Sequence, residues 1–256
     1  MNFCRHRALF AALFAAAFLS YSGASRAGSA GDQCAAPNSV MELGTPLRHT
    51  GERLLHGLPV KIVAIGSSST VGVGASDAAH TYPSQLAMAL AHRFPAAEVS
   101  VLNKGVNGEE TPDMLARFQR DVFDEHPDLV IWQTGSNEIL RHSDPDAFRA
   151  QVVDGLNRLH AAGVETILMD AQYAPRILDN PAYASFNEKL RRLAERAKLA
   201  FLDRFAAMRY WLTKGKKDVR TFVSKDEVHM TDAGYHCVGQ LLASLITAEL
   251  PKLASR

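Results

Sequence analysis

The stretch VKIVAIGSSSTVGVG, residues 60–74, joins a short apolar run to a turn rich in glycine and serine. The run Val60–Ile65 is apolar nearly throughout, which is typical of a parallel strand covered on both faces. Four later runs have the same character and are predicted as strands: Val99–Asn103, Leu129–Gln133, Thr166–Asp170 and Ala200–Leu202. Together these runs predict a parallel sheet with polar turns at the ends of its strands.

Longer amphipathic stretches separate the strands and predict helices near residues 83–94, 111–125, 145–162, 181–198, 205–213 and 231–249. Strands that alternate with helices imply a parallel sheet with right-handed crossovers. We therefore expect an α/β fold, a three-layer α/β/α sandwich whose flavodoxin-like five-stranded parallel sheet has the order 2-1-3-4-5. Ligands bind such a sheet where the strand order reverses, at the carboxyl ends of its first and third strands.

The composition is that of a soluble globular protein and excludes a coiled coil, a polytopic membrane protein and a nucleic-acid-binding arm. The chain has 256 residues, of which 47% are hydrophobic and 21% are charged, as in ordinary soluble domains. Its 28 basic and 27 acidic residues give a formal net charge of +1. Because nucleic-acid binders need a basic excess to displace counterions, we expect no nucleic-acid partner.

The N-terminus has the three-part layout of a secretory signal peptide. Arg5 and Arg7 form a positive region, Ala8–Leu19 is apolar, and small residues lead to cleavage sites after Ala24 or Ala27. A membrane anchor is the alternative, but the apolar run is shorter than the roughly 20 residues that a spanning helix needs. We expect a periplasmic or secreted protein with no stable membrane insertion after cleavage. The expected division is a signal peptide over 1–27, an extension over 28–58 strapped across the domain, and one domain over 59–256.

Export changes how the three cysteines are interpreted. Cys4 would leave with the signal peptide, so that Cys34 and Cys237 remain as an even pair in an oxidising compartment. This favours a disulfide that pins the extension to the last helix. Two unrelated buried thiols are the alternative.

Four polar turns follow the predicted strands or precede the last helix, at 66–74, 103–108, 134–138 and 226–229. Each turn alone has an ordinary structural explanation, such as a helix cap. A phosphate site is excluded at the first turn, because no third glycine follows Gly72-Val73-Gly74 at the required spacing and there is no Gly-Lys-Ser/Thr. Together the turns bring to one edge a hydroxyl, oxyanion donors, and an imidazole with a carboxylate three residues upstream. These are the parts that acyl transfer needs.

These four blocks resemble those of the SGNH hydrolases, also called GDSL esterases and lipases. The family's Gly-Asp-Ser-x-Thr-x-Gly, Asn-x-Gly-x-x-Gly, Gly-x-Asn-Asp and Asp-x-x-His blocks correspond to residues 66–72, 103–108, 135–138 and 226–229. The resemblance covers roughly residues 60–249. Two positions depart from the pattern, since Ser67 and Glu138 stand where the family has Asp. Neither position carries a reacting group in the family, so we expect the chemistry to survive.

The resemblance implies a role for five residues. Ser68 would be the nucleophile, His229 the general base, and Asp226 the carboxylate that orients the imidazole. The oxyanion hole would consist of the backbone N–H groups of Ser68 and Gly108 and the side-chain amide of Asn137. A serine hydrolase of this kind needs no cofactor or metal ion, and the chain has neither His-Glu-x-x-His nor paired Cys-x-x-Cys.

The expected function is that of an exported serine esterase acting on short-chain acyl esters, with acetyl-type groups on carbohydrate as the leading substrate hypothesis. Its partner would be a small-molecule or glycan ester. Two alternatives stay open: an acyltransferase that uses the same residues, and a non-catalytic carbohydrate-binding module on the same fold. The sequence leaves open the acyl chain length, the alcohol and the oligomeric state.

Aromatic residues near the predicted turns have two interpretations. They either pack in the core or provide a surface on which sugar rings stack. The residues concerned are Tyr82, Trp132, Tyr173, Tyr210 and Trp211.

Overall fold

The structure is a computed structural model that describes residues 33–42, 44–248 and 250. The predicted signal peptide, residues 1–27, lies outside the described residues, as does the beginning of the predicted extension.

The centre of the fold is a twisted sheet of six strands within the described residues. In chain order the strands are β1 (Met41–Glu42), β2 (Val60–Gly66), β3 (Val99–Gly105), β4 (Leu129–Gln133), β5 (Glu165–Met169) and β6 (Ala200–Leu202). Their spatial order is β1-β6-β5-β4-β2-β3, and β2 to β6 pair in parallel. The five predicted strands therefore lie in the flavodoxin-like order, which confirms the predicted fold class.

One strand was not predicted, and the five-stranded count was wrong for this reason. Strand β1 pairs antiparallel with β6, with Met41 opposite Leu202 and Glu42 opposite Phe201. Two residues are too few to show the alternation that identifies a strand in a sequence. The extension thus adds an edge to the sheet, and it satisfies backbone groups of β6 that would otherwise be unpaired.

The helices lie between the strands. They are α1 (Arg48–Leu55), α2 (Ser68–Val71), α3 (Tyr82–Arg93), α4 (Thr111–Ala116), α5 (Phe118–Asp121), α6 (Ser136–Leu140), α7 (Pro145–Ala161), α8 (Pro175–Leu178), α9 (Tyr183–Ala197), α10 (Arg204–Thr213), α11 (Val219–Phe222) and α12 (Asp232–Thr247). Short 3₁₀ turns occupy Asn38–Val40, Ala78–His80 and Phe123–Glu125. The predicted helix over 111–125 is interrupted, because Arg117 and Val122 have backbone angles outside the helical region.

Two groups of helices cover the sheet. Helix α12 packs on α1 and α3, helix α7 packs on α4 and α9, and both groups contact the strands. This is the predicted three-layer arrangement, in which apolar strand residues are buried from both sides. Ile62–Ile65 and Leu129–Trp132 are fully buried. The layers leave the carboxyl ends of β2, β3 and β4 open to the loops that follow them.

The structure contains the predicted disulfide between Cys34 and Cys237, with 203 residues of sequence separation. It joins the extension to α12. Across residues 33–42, 44–248 and 250, no helix has the length and apolar character that a bilayer-spanning segment requires.

Candidate active site

The three adjacent serines after β2 have different environments. Ser67 is buried, and its N–H and hydroxyl donate to Gln133 Oε1 at 3.0 and 3.2 Å. Ser69 is also buried, and its hydroxyl donates to Gln172 Oε1 at 3.3 Å. Ser68 begins α2 and is partly exposed. Of the three hydroxyls, only that of Ser68 is therefore accessible to a substrate.

The turn that carries Ser68 depends on glycines at two close approaches. A Cβ on Gly66 would lie 2.2 Å from Thr70 Oγ1, and one on Gly105 would lie 2.2 Å from the backbone nitrogen of Val71. No side chain larger than hydrogen fits at either position without displacing α2. The glycines of the first two sequence blocks thus allow the loop after β3 to pack directly on the nucleophile turn.

The loop before α12 is organised by one carboxylate. Asp226 Oδ1 accepts hydrogen bonds from Ser224 Oγ at 2.7 Å, from the Val228 N–H at 3.0 Å and from the His229 N–H at 2.9 Å. Its Oδ2 lies 2.5 Å from His229 Nδ1. The same side chain therefore folds the loop and faces the imidazole.

His229 also reaches Ser68, from which it is 161 residues distant in sequence. Its Nε2 lies 2.7 Å from Ser68 Oγ. An ionised carboxylate can only accept, so the Nδ1 atom facing Asp226 carries the ring proton. Nε2 of the neutral ring is then an acceptor for the Ser68 hydroxyl. The structure brings the three predicted catalytic residues into one hydrogen-bonded chain.

The charge state of Asp226 follows from its contacts. Burial raises the pKa of this carboxyl, but hydrogen bonds from Ser224, His229 and the backbone outweigh burial and hold the pKa well below its usual range. Asp226 therefore stays ionised at neutral and mildly acidic pH.

The three predicted oxyanion donors lie on the loops around this chain. The Ser68 N–H is at the first position of α2, where a helix leaves its N–H groups unpaired. Gly108 has a φ of +77°, and neither its N–H nor that of Ser68 donates to an acceptor within the described part of the protein. The Asn137 side-chain amide donates one hydrogen to the Glu109 carbonyl at 2.7 Å. Among the described residues, its second hydrogen has no acceptor and is left for a ligand.

The two departures from the family pattern have visible substitutes. At the first, Gln133 Oε1 holds Ser67, and the Thr70 hydroxyl donates to the same oxygen at 3.2 Å. At the second, the buried Glu138 carboxylate accepts from the Thr111 N–H at 2.6 Å and so fixes the start of α4. Burial raises the pKa of Glu138. Gln133 and Glu138 thus support the two loops without a carboxylate at position 67.

Most of the singled-out aromatic residues belong to the core. Tyr82, Trp132 and Trp211 are buried, so they do not form a sugar-stacking surface. Tyr173 is partly buried and packs edge-on against Phe205.

Sequence reasoning missed three buried polar residues beneath the turns: Gln133, Gln172 and Arg204. Each stands at or just after the carboxyl end of a strand, and that position is the signal that could have found them. In the part of the chain that the structure covers, no group of three or more His, Cys, Asp or Glu side chains is arranged to hold a metal ion.

Comparison with known families gives a match to the model of the non-GDSL lipase-like family over residues 33–252. The chain belongs to this family. A solved structure of a putative lipolytic protein of the G-D-S-L family from Desulfitobacterium hafniense superposes with a TM-score of 0.58 at 21% identity, covering 73% of this chain and 99% of that one. The family match is consistent with the predicted membership of the SGNH hydrolase superfamily.

Two relatives of this non-GDSL lipase-like protein are esterases. An acetylxylan esterase from Geobacillus stearothermophilus is 26% identical over 202 residues, 73% of this chain and 90% of the relative. An arylesterase from Vibrio mimicus is 27% identical over 116 residues, 45% of this chain and 56% of the relative. The chain is a carboxylic ester hydrolase.

Solved structures give the same fold at lower sequence similarity. The structure of an acetylxylan esterase from Geobacillus stearothermophilus has a TM-score of 0.62 at 21% identity, covering 73% of this chain and 94% of that one. A two-domain esterase active on acetylated mannans, co-crystallised with mannopentaose, has a TM-score of 0.63 at 22% identity, covering 82% of this chain and 54% of that one.

Proposed function

We propose that this protein is an exported serine esterase that removes short acyl groups, acetyl groups on carbohydrate foremost, through Ser68, His229 and Asp226. The observation that carries the proposal is the continuous chain from Ser68 Oγ to His229 Nε2 at 2.7 Å and from His229 Nδ1 to Asp226 Oδ2 at 2.5 Å. This order of hydroxyl, imidazole and carboxylate is that of a serine hydrolase triad.

The reaction follows from the direction of these hydrogen bonds. Ser68 Oγ attacks the ester carbonyl carbon while His229 Nε2 takes its proton. The resulting oxyanion accepts hydrogen bonds from the N–H groups of Ser68 and Gly108 and from the Asn137 amide, and one such donor typically contributes about 3–4 kcal/mol to transition-state stabilisation. His229 then protonates the departing alcohol, leaving an acyl group on Ser68. Water, deprotonated by His229, attacks that acyl group and releases the acid.

The substrate class is supported by the relatives and by the exposure of the site. The acetylxylan esterase and the mannan-active esterase act on acetylated polysaccharides, as their names state. The Asp226 side chain is 42% exposed and that of His229 is 16% exposed, so the proposed triad lies near the protein surface. A site near the surface can accept an ester whose acyl group is small and whose alcohol part is too large to be enclosed.

Export is supported by the disulfide between Cys34 and Cys237, because such bonds persist in oxidising compartments. In this proposal residues 1–27 are the signal peptide, 28–58 the extension, and 59–256 the hydrolase domain. The protein acts in the periplasm or outside the cell.

The test combines covalent labelling with serine variants. The mature protein is treated with a fluorophosphonate, the labelled peptide is mapped, and hydrolysis of acetyl, butyryl and decanoyl esters is compared. We expect the label on Ser68, the fastest turnover on the acetyl ester, and loss of labelling and turnover in Ser68→Ala. Ser67→Ala and Ser69→Ala serve as neighbouring controls that retain much of the activity.

Three outcomes contradict the proposal. Activity retained in Ser68→Ala but lost in Ser67→Ala means that the wrong hydroxyl was chosen. A protein that neither labels nor hydrolyses any ester is a binding module. Fastest turnover on the decanoyl ester excludes the short-chain substrate class.

A further inference from the structure

One buried side chain joins the loops of the site from below. Gln172 follows β5 at the carboxyl edge of the sheet and is fully buried. Its Oε1 accepts hydrogen bonds from Ser136 Oγ at 2.9 Å, Arg204 Nη2 at 3.0 Å and Ser69 Oγ at 3.3 Å. Its Nε2 donates to the Val228 carbonyl at 3.0 Å. The Gln172 amide thus makes hydrogen bonds to four different segments of the chain.

Three of these partners are next in sequence to residues of the proposed mechanism. Ser69 follows Ser68, Ser136 precedes Asn137, and Val228 precedes His229. A displacement of the Gln172 side chain would therefore be transmitted to the nucleophile, to an oxyanion donor and to the base.

Arg204 fixes the orientation of the amide. Its guanidinium is fully buried, and Nε and Nη2 also donate to the Asp170 carbonyl at 3.0 and 2.6 Å. A guanidinium has donors only, so the Gln172 atom that faces it must be the oxygen. The Gln172 nitrogen is then directed at the Val228 carbonyl. If the amide were flipped, its N–H groups would face the N–H groups of Arg204, and its oxygen would face the carbonyl oxygen of Val228.

Gln133 is the natural comparison, since it is also buried beneath the same turns. It contacts Ser67 and Thr70 on the nucleophile turn and Ser136 on the loop after β4. Within the part of the chain that the structure describes, the hydrogen bonds of Gln133 do not extend to the loop that carries His229. Gln172 alone of the two connects the nucleophile turn to the base across the 161 residues that separate Ser68 from His229.

We infer that Gln172 is a positioning residue that holds the Ser68, Asn137 and His229 loops in register for catalysis. The inference rests on the proposed function and assigns to Gln172 no contact with the substrate. Because misplacing reacting groups by about 1 Å can lower a rate about 100-fold, a residue of this kind acts on kcat more than on KM.

The first test replaces Gln172 by methionine, which has similar length and no strong hydrogen bonds. For Gln172→Met we expect kcat on an acetyl ester to fall about 10- to 100-fold, with KM changed less than about threefold. The rate of fluorophosphonate labelling of Ser68 should fall in parallel, because labelling uses the same hydroxyl and imidazole.

A second variant separates the contacts of the amide. Gln172→Glu keeps acceptors for Ser69, Ser136 and Arg204 but, when ionised, offers no hydrogen to Val228. We expect its kcat to lie between those of the wild type and Gln172→Met. This variant also keeps a partner for the buried Arg204, so it remains informative if Gln172→Met does not fold.

The matched control is Gln85→Met. Gln85 is another buried glutamine, whose Nε2 donates to the Ala79 carbonyl at 2.8 Å and whose Oε1 lies 2.7 Å from His236 Nδ1. It should lose stability to unfolding as Gln172→Met does, while its kcat stays within about twofold of the wild type.

The outcomes are distinguishable. Equal falls of kcat in Gln85→Met and Gln172→Met, or full kcat in Gln172→Met, overturn the inference while the proposed function stands. A wild-type protein that neither hydrolyses the acetyl ester nor labels at Ser68 overturns the proposed function, and the inference with it.

Discussion

The two oxygens of the Asp226 carboxylate have different partners. Oδ1 holds the loop through Ser224 and two backbone N–H groups, and Oδ2 faces His229 Nδ1. The hydrogen bonds that lower the pKa of Asp226 keep this group ionised, and an ionised group keeps the ring proton on Nδ1. The tautomer of His229, and with it the ability of Nε2 to accept from Ser68, therefore depends on the charge of one oxygen.

Asp226→Asn tests this dependence. The amide oxygen can keep the loop contacts of Oδ1, but the amide nitrogen donates to His229 Nδ1 and forces the ring proton to Nε2. Nε2 can then no longer take the Ser68 proton, and we expect kcat to fall about 10³- to 10⁴-fold, the effect of this exchange in other serine hydrolases. Steady-state kinetics on an acetyl ester, with circular dichroism to check the fold, measure the effect.

A carboxylate-to-amide exchange elsewhere provides the control. Asp218 caps α11, where its Oδ1 accepts from the Arg220 N–H at 2.7 Å. Asp218→Asn should leave kcat within about twofold of the wild type, since asparagine caps helices as well as aspartate does. More than a tenth of wild-type kcat in Asp226→Asn would contradict the assigned tautomer.

The residue scale also separates what sequence reasoning can find from what it cannot. Asp226 and His229 were predicted because their Asp-x-x-His spacing occurs together with three other blocks that resemble those of the SGNH hydrolases. Gln172 was not, because its partners Ser69 and Val228 are 103 and 56 residues away in the chain. A glutamine after a buried strand indicates a polar position at the sheet edge, but its hydrogen-bond partners can be identified only from the three-dimensional structure.

At the scale of elements, the interrupted segment 111–125 has a physical cause. A continuous helix would extend through Arg117, but this residue has φ −110° and ψ 8°, and its guanidinium turns inward. Nη2 donates to the Gly66 carbonyl at 3.2 Å, and Nε donates to Glu109 at 2.8 Å. Arg117, at the break between α4 and α5, thus links the end of β2 to the loop that follows Gly108. Helical periodicity alone does not reveal such a long-range contact.

Asp121, at the end of α5, supports this connection through two arginines. Arg120 and then Arg117 donate hydrogen bonds that outweigh burial and lower the pKa of Asp121 to about 2. A carboxyl whose pKa is lowered on folding stabilises the protein above its unfolded pKa, and that contribution is lost as the pH falls toward the folded value. Because Arg120 is largely exposed, we expect Asp121→Asn to lower the free energy of unfolding by about 1–2 kcal/mol near pH 7.

Urea denaturation at several pH values checks both the size and the sign. The difference between wild type and Asp121→Asn should shrink as the pH falls from about 5 toward 2, where the wild-type carboxyl becomes protonated. Asp124→Asn, at an exposed carboxylate in the same segment, is the control and should change stability by less than about 0.5 kcal/mol. A difference that grows as the pH falls would mean that the ion pairs do not stabilise the fold.

At the scale of the whole molecule, the order of the five parallel strands was predictable and the edge strand that the extension adds was not. Alternating strands and helices with right-handed crossovers leave few topologies, and the order of β2 to β6 is one of them. The extension joins the sheet through the two residues of β1, and the Asp203 N–H donates to the Val40 carbonyl at 2.9 Å. These are backbone contacts that any residue can make, so the pattern of apolar and polar side chains does not predict them.

The disulfide between Cys34 and Cys237 therefore bears on the stability of the molecule as a whole. It closes a loop with a sequence separation of 203 residues. Chain entropy assigns to a loop of this length up to about 5 kcal/mol, and measured values are commonly about 2–4 kcal/mol. We expect Cys34→Ser/Cys237→Ser, or reduction of the wild type, to lower the free energy of unfolding by that amount in urea titrations. At 25 °C kcat should change less than about twofold, because neither sulfur contacts Ser68 or His229.

Reductant should not affect the double variant, and titration of the denatured, unreduced wild type should find neither of these thiols free. Two free thiols would mean that the extension is held by noncovalent contacts, through β1 and α1, without the disulfide, and the double substitution should then leave the urea midpoint where it was.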